Sequence, residues 1–124
     1  MTQRNLQPAD DSRGKSPSGR ELLAPLQLQL LALTVQEKTG REIADLYYRD
    51  TKRHISYGTL YTTLRRLRED GFLTIRDAED VDGRLRYFKI DAAGVKALNQ
   101  SRQYYDEIAN FGRELEKKTR PSEG

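Results

Sequence analysis

The first run of apolar residues at helical spacing covers about residues 22–37 and predicts a helix. Because proline fits only the first turn of a helix, Pro25 favours a start near Ala24, although Ser18 and Glu21 also have capping-box spacing. Its apolar positions lie on two sides: Leu23, Leu26, Leu30 and Leu33 on one, and Leu28, Leu31 and Val35 on the other. A helix that is apolar on two sides is buried on two sides. Since one small domain has one core, we expect the second side to meet a partner subunit.

The next two helices are amphipathic and close together in sequence. Thr39 and Glu42 have capping-box spacing, which predicts a helix over about 40–52. Ser56 is a good N-cap and Gly71 suits the position after a last turn, so a third helix is predicted over about 57–70. The inward residues are Ile43, Leu46 and Tyr47 in the second helix and Leu60, Leu64 and Leu67 in the third. The short connection between these helices is typical of a helix-turn-helix.

A β-hairpin is predicted after the third helix. Two strand-like segments, Phe72–Asp80 and Arg84–Ile90, flank the pair Asp82-Gly83, which suits a two-residue type I′ turn. That turn gives the pairs Ile75–Ile90, Asp77–Phe88 and Glu79–Arg86. The first pair is apolar and the last is oppositely charged, and both favour pairing across strands. Because the hairpin is apolar at its base and polar at its tip, we expect it to project from the core as a wing.

The last helix is predicted to begin after Asp91, a good N-cap, and to run to about Lys118. Its apolar residues Tyr104, Ile108, Phe111 and Leu115 have the 4-3-4 spacing of a coiled-coil seam. We therefore expect a homodimer in which this helix pairs with its mate and with the second apolar side of the first helix. Residues 1–19 and 120–124 lack apolar periodicity and are predicted to form a disordered arm and a frayed tail.

This order of elements predicts a winged helix-turn-helix domain over residues 20–91 and a dimerisation helix over 92–119. The fold class is α+β and mostly α, with a two-stranded wing. The stretch Thr51–Arg68 has five basic side chains and no acidic one. With its leucines inward, the third helix turns small, hydroxyl-bearing and basic residues outward, which suits a DNA major groove. The predicted DNA contacts are Lys52, Arg53, Ser56, Tyr57, Thr59, Tyr61, Thr62, Arg65, Arg66, Arg84 and Arg86.

Composition excludes several classes of function. The 124 residues include no cysteine, which rules out disulfides, thiolate metal sites and a cysteine nucleophile, and they include one histidine, His54, which rules out a histidine-cluster metal site. We expect no enzymatic activity, no metal and no cofactor. The longest apolar run is Leu30–Leu33 and no secretory signal is recognisable, so we expect a cytoplasmic protein with no membrane contact. The net charge of +3 is mild, and its placement matters more than its size.

The chain resembles the PadR family of winged-helix transcription regulators in two segments, SYGTLYTTLRRLREDGFL and GRLRYFKIDAAGVKAL. Members carry a string of the form G-x-L-Y-x-x-L-x-x-L-x-x-x-G-[LF]-[LI], followed by a Gly-Arg-rich wing. The resemblance covers roughly residues 22–118. It implies a prokaryotic, nucleoid-associated homodimeric repressor with the C-terminal helix in the dimer interface. It also implies that Tyr61 contacts the DNA backbone and that Arg84 and Arg86 are basic wing residues.

Three features depart from the family's pattern. Members often carry Gly and Tyr early in the second helix, where this sequence reads Gly40-Arg41-Glu42. A proline frequently follows the tyrosine of the third helix, where this chain has Thr62. Members that bind flat aromatic drugs do so beside a tryptophan, which this chain lacks. The single C-terminal helix resembles the short subgroup of the family, and the sequence does not predict an effector ligand.

Two other functions are compatible with a winged helix. A protein-interaction module would expose an apolar patch on the third helix. A binder of RNA or single-stranded DNA would stack bases on exposed aromatic residues of a sheet, for which Tyr87 and Phe88 are candidates, although Phe88 is expected to face the core. We predict a regulator of double-stranded DNA, in which a homodimer occludes a promoter at a roughly palindromic operator.

Overall fold

The computed structural model describes residues 22–81 and 83–119, and for residues 117–119 it describes the backbone alone. The elements are α1 (Pro25–Ala32), β1 (Lys38–Thr39), α2 (Gly40–Thr51), α3 (Tyr57–Glu69), β2 (Leu73–Asp80), β3 (Gly83–Ile90), α4 (Ala92–Asn110) and α5 (Arg113–Thr119). The fold is α+β and mostly helical, with one antiparallel sheet in the order β1-β3-β2. The predicted arm, 1–19, and tail, 120–124, lie outside the described residues.

Helix α1 begins where Pro25 allows and ends well before residue 37. Ala24 is the N-cap, and its N–H donates to the Gln27 side chain at 2.8 Å. At the other end, the Thr34 hydroxyl and N–H both donate to the Leu31 carbonyl, at 2.7 and 3.0 Å. The Thr34 carbonyl accepts from the N–H of Ile90, at the end of β3, at 2.9 Å. The fully buried Thr34 therefore closes the helix and turns the chain toward the sheet.

Both apolar sides of α1 belong to the core of a single chain. Leu30 and Leu31 are fully buried, and Leu28 packs against the same core. The prediction that Leu31 faces a partner subunit is therefore wrong. Helices α3 and α4 both pack on α1, so one small core covers two sides of it. Val35 lies beyond the end of the helix and is exposed.

The predicted caps of α2 and α3 are confirmed. Thr39 Oγ1 accepts from the Glu42 N–H at 3.2 Å, and the Glu42 side chain accepts from the Thr39 N–H at 2.9 Å. Ser56 Oγ accepts from the Thr59 N–H at 3.1 Å. Gly71 follows α3 with a φ of 85°, a left-handed conformation that favours glycine. The predicted inner stripe of α3, which fixes the face that this helix turns outward, is fully buried: Leu60, Leu64 and Leu67.

Strands β2 and β3 form the predicted hairpin in a register shifted by two residues. Ile90 pairs with Leu73 rather than with Ile75. A shift of two keeps every side chain on its own face, so the alternation of apolar and polar residues does not distinguish the two registers. The observed register creates two apolar pairs and two oppositely charged pairs, Leu73–Ile90, Ile75–Phe88, Asp77–Arg86 and Glu79–Arg84. These favourable pairs outnumber those of the predicted register.

The hairpin loop also differs from the predicted turn at Asp82-Gly83. Gly83 pairs with Asp80 and is the first residue of β3, so it belongs to the strand and not to the turn. Residue 82 lies outside the described residues. Gly83 has a φ of 117°, which makes glycine suitable where the strand begins.

The sequence pattern does not predict strand β1. Lys38 pairs with Phe88 and Thr39 with Tyr87, which adds a third strand at the base of the wing. A two-residue strand has no periodicity of its own, and this one forms on the edge that β3 offers. Because β1 runs directly into α2, it places the first turn of α2 beside the wing.

The C-terminal helix is interrupted before its predicted end. Helix α4 ends at Asn110, Phe111 is extended with a ψ of 131°, and Gly112 has a φ of 80°. One continuous helix to about Lys118 is therefore a wrong prediction, because a left-handed residue cannot continue a right-handed helix. The predicted seam is divided, with Tyr104 and Ile108 on α4, Phe111 in the break and Leu115 on α5.

Two hydrogen bonds fix α4 to the segment before α1. The Leu23 N–H donates to the Oγ of the fully buried Ser101 at 2.8 Å. The Tyr105 hydroxyl donates to the Leu23 carbonyl at 2.6 Å. At the start of α4, a Cβ built on Gly94 would overlap the Phe72 carbonyl, so only glycine permits this close approach to the strand segment. Helix α4 is therefore an integral part of the winged-helix core.

Candidate nucleic-acid interface

The outer face of α3 exposes hydroxyl and arginine side chains along its length. Thr59, Thr62, Arg65 and Arg66 are all exposed, whereas the leucines on the opposite face are fully buried. Rotating this face inward would expose the core, so its orientation is fixed. Among the residues that the structure describes, neither Arg65 nor Arg66 forms an ion pair with a carboxylate. Both guanidinium groups are therefore available to a phosphate or to a base edge.

The hydroxyl groups at the start of α3 serve the fold first. Ser56 Oγ caps the helix and also donates to Thr59 Oγ1 at 3.1 Å. The hydroxyl hydrogen of Thr59 is then left to be donated outward. Ser56, predicted as a DNA contact, is exposed but is engaged as the N-cap. Replacing Ser56 would therefore change helix stability as well as any ligand contact.

Tyr61 joins α3 to α2 and to the wing. Its ring lies 6.0 Å from that of Tyr57 and 6.1 Å from that of the buried Phe88 of β3. A Cβ built on Gly40 would overlap the Tyr61 hydroxyl, so the absence of a side chain at Gly40 makes room for this ring. Tyr57 and Tyr61 both remain exposed, at 58 % and 39 %. The structure therefore places Tyr61, a predicted contact, where three elements meet.

The turn between α2 and α3 carries two exposed cations, Lys52 and Arg53. Lys52 ends α2 in the left-handed region with a φ of 62°. Thr51 Oγ1 holds the turn, because it donates to the Tyr47 carbonyl at 2.8 Å and accepts from the Arg53 N–H at 3.0 Å. His54 stacks on Tyr48 with ring centroids 4.4 Å apart, and this contact holds its ring within the turn.

One acidic residue next to this turn, Asp50, already forms an ion pair with its neighbour Arg49. Arg49 donates to Asp50 at 2.8 Å, and this hydrogen bond holds the pKa of the Asp50 carboxyl below its usual value against a smaller effect of burial. The positive charges of Arg49 and Lys52 lower this pKa further. The negative charge of Asp50 is therefore offset where the chain turns toward α3.

The two predicted wing contacts differ in their surroundings. Arg86 donates to Asp77 at 3.2 Å, rather than facing Glu79 as predicted. Arg84 lies opposite Glu79, rather than opposite Val81, and forms no ion pair with it. Both arginines are exposed. Arg84 is therefore the less engaged of the two.

The cations at the base of the wing support the fold. Arg76 donates to both carboxylate oxygens of Glu37 at 2.9 Å and lies over the Tyr87 ring, 4.6 Å from its centroid. The hydrogen bond from Arg76 holds the pKa of the Glu37 carboxyl below its usual value. Lys89 donates to the Val35 carbonyl at 3.0 Å. These contacts tie the wing to the loop before β1.

Arg41 is exposed near this surface and is absent from the predicted contacts. It lies in the first turn of α2, and with Tyr61, Arg84 and Arg86 it lines a cleft between α2 and the wing. The sequence places Arg41 just after a helix cap but does not show that the wing lies beside it. That proximity depends on β1, which has no sequence signal.

The predicted dimer residues fall into two groups. Leu31 belongs to the core of one chain, whereas Leu28 is half-buried against that core. By contrast, the residues at the end of α4 and in the break are exposed, with Ile108 at 51 % and Phe111 at 88 %. Val35 and Leu115 are also exposed, and Tyr104 is half-buried. Three large apolar residues near the C-terminal end, Ile108, Phe111 and Leu115, are therefore exposed together with others elsewhere on the surface.

Other kinds of site find no support within residues 22–81 and 83–119. No cluster of three or more histidine, cysteine or acidic side chains in these ranges could hold a metal ion. No helix there combines the length and the apolar character needed to cross a membrane.

The fold and the exposed face of α3 define a winged helix-turn-helix of the class found in transcription regulators. Residues 28–100 match the model of the family described as the transcriptional regulator PadR-like family. This match spans more than half of the chain, which therefore belongs to the PadR-like family of transcriptional regulators. Members of this family are transcriptional regulators and not enzymes.

Solved structures of several transcriptional regulators share the fold. A PadR-like transcription factor from Bacteroides fragilis is 21 % identical, covers 73 % of this chain and 88 % of its own, and has a TM-score of 0.65. A transcriptional regulator from Clostridium thermocellum is 20 % identical, and the alignment covers 88 % of this chain and 97 % of the regulator, with a TM-score of 0.65. PadR of Bacillus subtilis, in complex with operator DNA, is 20 % identical, and the alignment covers 61 % of this chain and 45 % of PadR, with a TM-score of 0.54. No curated protein sequence matches the chain.

Proposed function

We propose that this protein binds double-stranded DNA sequence-specifically as a homodimer and represses transcription by occluding a promoter, in the cytoplasm of a prokaryote. The observation that carries the proposal is the outer face of α3, where exposed hydroxyls and arginines lie on a helix whose other face is locked in the core. A regulator with a similar fold has been solved in complex with operator DNA. The proposal needs no metal and no cofactor.

In the proposed complex, α3 enters the major groove. The hydroxyls of Thr59 and Thr62 donate to phosphates or base edges, and Arg65 and Arg66 reach phosphates or guanine edges. The cations of the turn, Lys52 and Arg53, lie beside the backbone, and the wing arginines contact flanking phosphates. Phosphate contacts position the protein, whereas base contacts give it sequence preference.

The surface of the sheet favours duplex DNA over single strands. Stacking of unpaired bases requires exposed aromatic faces. Phe88 is buried, and Tyr87 is half-buried with its ring already covered by Arg76. The outer face of α3 likewise presents hydroxyls and arginines in place of the apolar patch that a protein-interaction module would need.

Selection from a random duplex library tests DNA binding and finds the preferred sequence in the same experiment. Fluorescence anisotropy then compares the selected duplex with a mixed-sequence duplex, a single strand and an RNA duplex. We expect tight binding to the selected duplex and weaker, salt-sensitive binding to the mixed one. Equal affinity for the single strand and the selected duplex would contradict the proposal.

The homodimer is proposed from the exposed apolar residues near Gly112, which the described part of one chain does not cover. A twofold dimer requires an operator with two half-sites about one helical turn apart, or a multiple of it. The selected duplex should therefore contain an inverted repeat. A single asymmetric site would contradict the twofold arrangement.

A double substitution, Ile108→Asp with Phe111→Asp, tests the dimer. Because both side chains are exposed in one chain, the monomer should still fold, whereas two unpaired charges in an apolar interface should cost several kcal/mol. Sedimentation velocity should show a monomer, and operator affinity should be largely lost. The control is Val81→Asp, at a residue that is 95 % exposed in the wing loop and should leave the dimer intact. A folded double variant that remains dimeric would place the interface elsewhere.

A further inference from the structure

A cleft lies between the first turn of α2 and strand β3 of the wing, and one residue of its lining, Arg41, has no role in the contacts described so far. Its lining includes Thr39, Gly40, Arg41, Tyr61, Arg84 and Arg86. Strand β1 holds its two walls together, because Thr39 pairs with Tyr87 of β3 and is followed directly by α2. The cleft therefore joins the helix-turn-helix to the wing.

Its chemistry is that of an anion site. Three arginines line it, Arg41, Arg84 and Arg86, and the phenol of Tyr61 lies against Gly40. Guanidinium groups present planar donors that match phosphate oxygens, and a tyrosine hydroxyl adds a neutral donor. The cleft thus combines positive charge with donors of different geometry.

The carboxylates near the cleft do not balance this charge. Glu42 is engaged in the capping box with Thr39, and Asp77 pairs with Arg86. Glu79 lies opposite Arg84 in the sheet but does not form an ion pair with it, and within the described ranges Arg41 has no carboxylate partner. Within residues 22–81 and 83–119, the guanidinium groups of Arg41 and Arg84 therefore have no carboxylate partner.

We propose that this cleft binds one phosphate of the DNA backbone, held by Arg41 and Arg84 together, with the Tyr61 hydroxyl as a further donor. The inference rests on the proposed binding of duplex DNA. It adds one DNA phosphate that is contacted jointly by the helix-turn-helix and the wing. A phosphate held there fixes α3 and the wing on the same strand, and it carries no base preference. Arg41 thereby acts in positioning on DNA, although it lies outside α3 and outside the wing.

The test measures binding to a mixed-sequence duplex by fluorescence anisotropy over a range of salt concentrations. Arg41→Gln removes one cation and should weaken binding about tenfold at moderate salt, the effect of one charge-assisted hydrogen bond. Arg102→Gln is the matched control, because it removes an equal charge from an exposed position on α4. We expect the control to bind as the parent does. Equal binding by Arg41→Gln and Arg102→Gln would overturn the proposal.

The double variant, Arg41→Gln with Arg84→Gln, tests whether the two arginines share one phosphate. Each lost phosphate contact flattens the plot of log affinity against log salt by about 0.9. If one phosphate is shared, the double variant flattens the slope by about one unit, whereas two separate phosphates would give about two units and overturn the shared site. A parent chain that does not bind the duplex at all would overturn the proposed function itself, so the two failures are distinguishable.

Discussion

The outer face of α3 and the base of the wing carry the same kinds of cation but use them differently. On α3, Arg65 and Arg66 are exposed without a carboxylate partner among the described residues. At the base of the wing, Arg76 is held by Glu37 and lies over Tyr87, and Lys89 donates to a backbone carbonyl. A count of basic residues does not distinguish these surfaces, whereas the contacts of each side chain do.

This difference shows how the fold divides positive charge between structure and recognition. The engaged cations connect the wing to the loop before β1 and set the position of the hairpin. The cations without a carboxylate partner among the described residues, Arg65 and Arg66, lie on the exposed face of α3. Removing a cation from the first group should alter stability before affinity, whereas removing one from the second should alter affinity and should change stability only where the backbone conformation is also relieved, as at Lys52.

The largest effect is expected at Arg66. Arg66→Ala should weaken binding to the selected duplex by about 1–3 kcal/mol, because a base-edge contact is lost, and should reduce the preference over mixed-sequence DNA. Thermal unfolding should be unchanged, since the side chain is exposed and its backbone position in α3 is kept. Arg102→Ala is the control for the change in charge. Unchanged affinity for the selected duplex would remove Arg66 from the interface.

A smaller effect is expected at Lys52, where one substitution should raise the stability of the protein and weaken its binding to DNA. Its φ of 62° is unfavourable for a residue with a side chain, so Lys52→Gly should stabilise the protein by about 1 kcal/mol. The same change removes a cation from the turn and should flatten the salt dependence of DNA binding by about one unit. Chemical denaturation and anisotropy measure the two effects separately. A variant that is more stable and binds DNA with the parent's salt slope would show that Lys52 contacts no phosphate.

The smallest effect is expected at Glu37. The hydrogen bond from Arg76 lowers the pKa of the Glu37 carboxyl in the folded protein. The ionised carboxylate therefore stabilises the fold at pH values above its ordinary pKa of 4.5. This contribution is lost as the pH falls through the lowered pKa. Glu37→Gln should therefore be slightly less stable than the parent at neutral pH, and the gap should close in acid. Because the pair is exposed, the effect is small and sensitive to salt.

The matching measurement is thermal unfolding of both proteins from neutral pH to below 4. The salt slope of DNA binding should be the same for both, since neither Glu37 nor Arg76 is assigned a phosphate. A flattened slope in Arg76→Gln would move Arg76 from the structural to the recognition group and break the distinction between the two surfaces.

Features set by local contacts were predictable from the sequence. The caps at Thr39 and Ser56 depend on hydrogen bonds to residues three positions away, and the leucine stripe of α3 depends on one helical face. The spacing of residues carries that information directly. For the same reason the exposure of the predicted contacts on α3 followed from its buried stripe.

Features set by packing between distant segments were not predictable. The observed hairpin register differs from the predicted one by two residues. The sequence pattern does not distinguish them, because both registers keep Ile75 and Ile90 on the same face. Leu31 was assigned to a partner because the pattern shows that a residue is buried but not what covers it. Strand β1 depends on the edge of β3, and without it Arg41 could not be placed near the wing.

The central claim, that α3 reads the major groove, is tested most directly by methylation interference on the selected duplex. Dimethyl sulfate methylates guanine N7 in the major groove and adenine N3 in the minor groove. We predict that methylated guanines in both half-sites block binding by the parent protein, and that Arg66→Ala loses this sensitivity at one guanine in each half-site. Interference confined to adenine N3, or none at guanine in either half-site, would contradict the account.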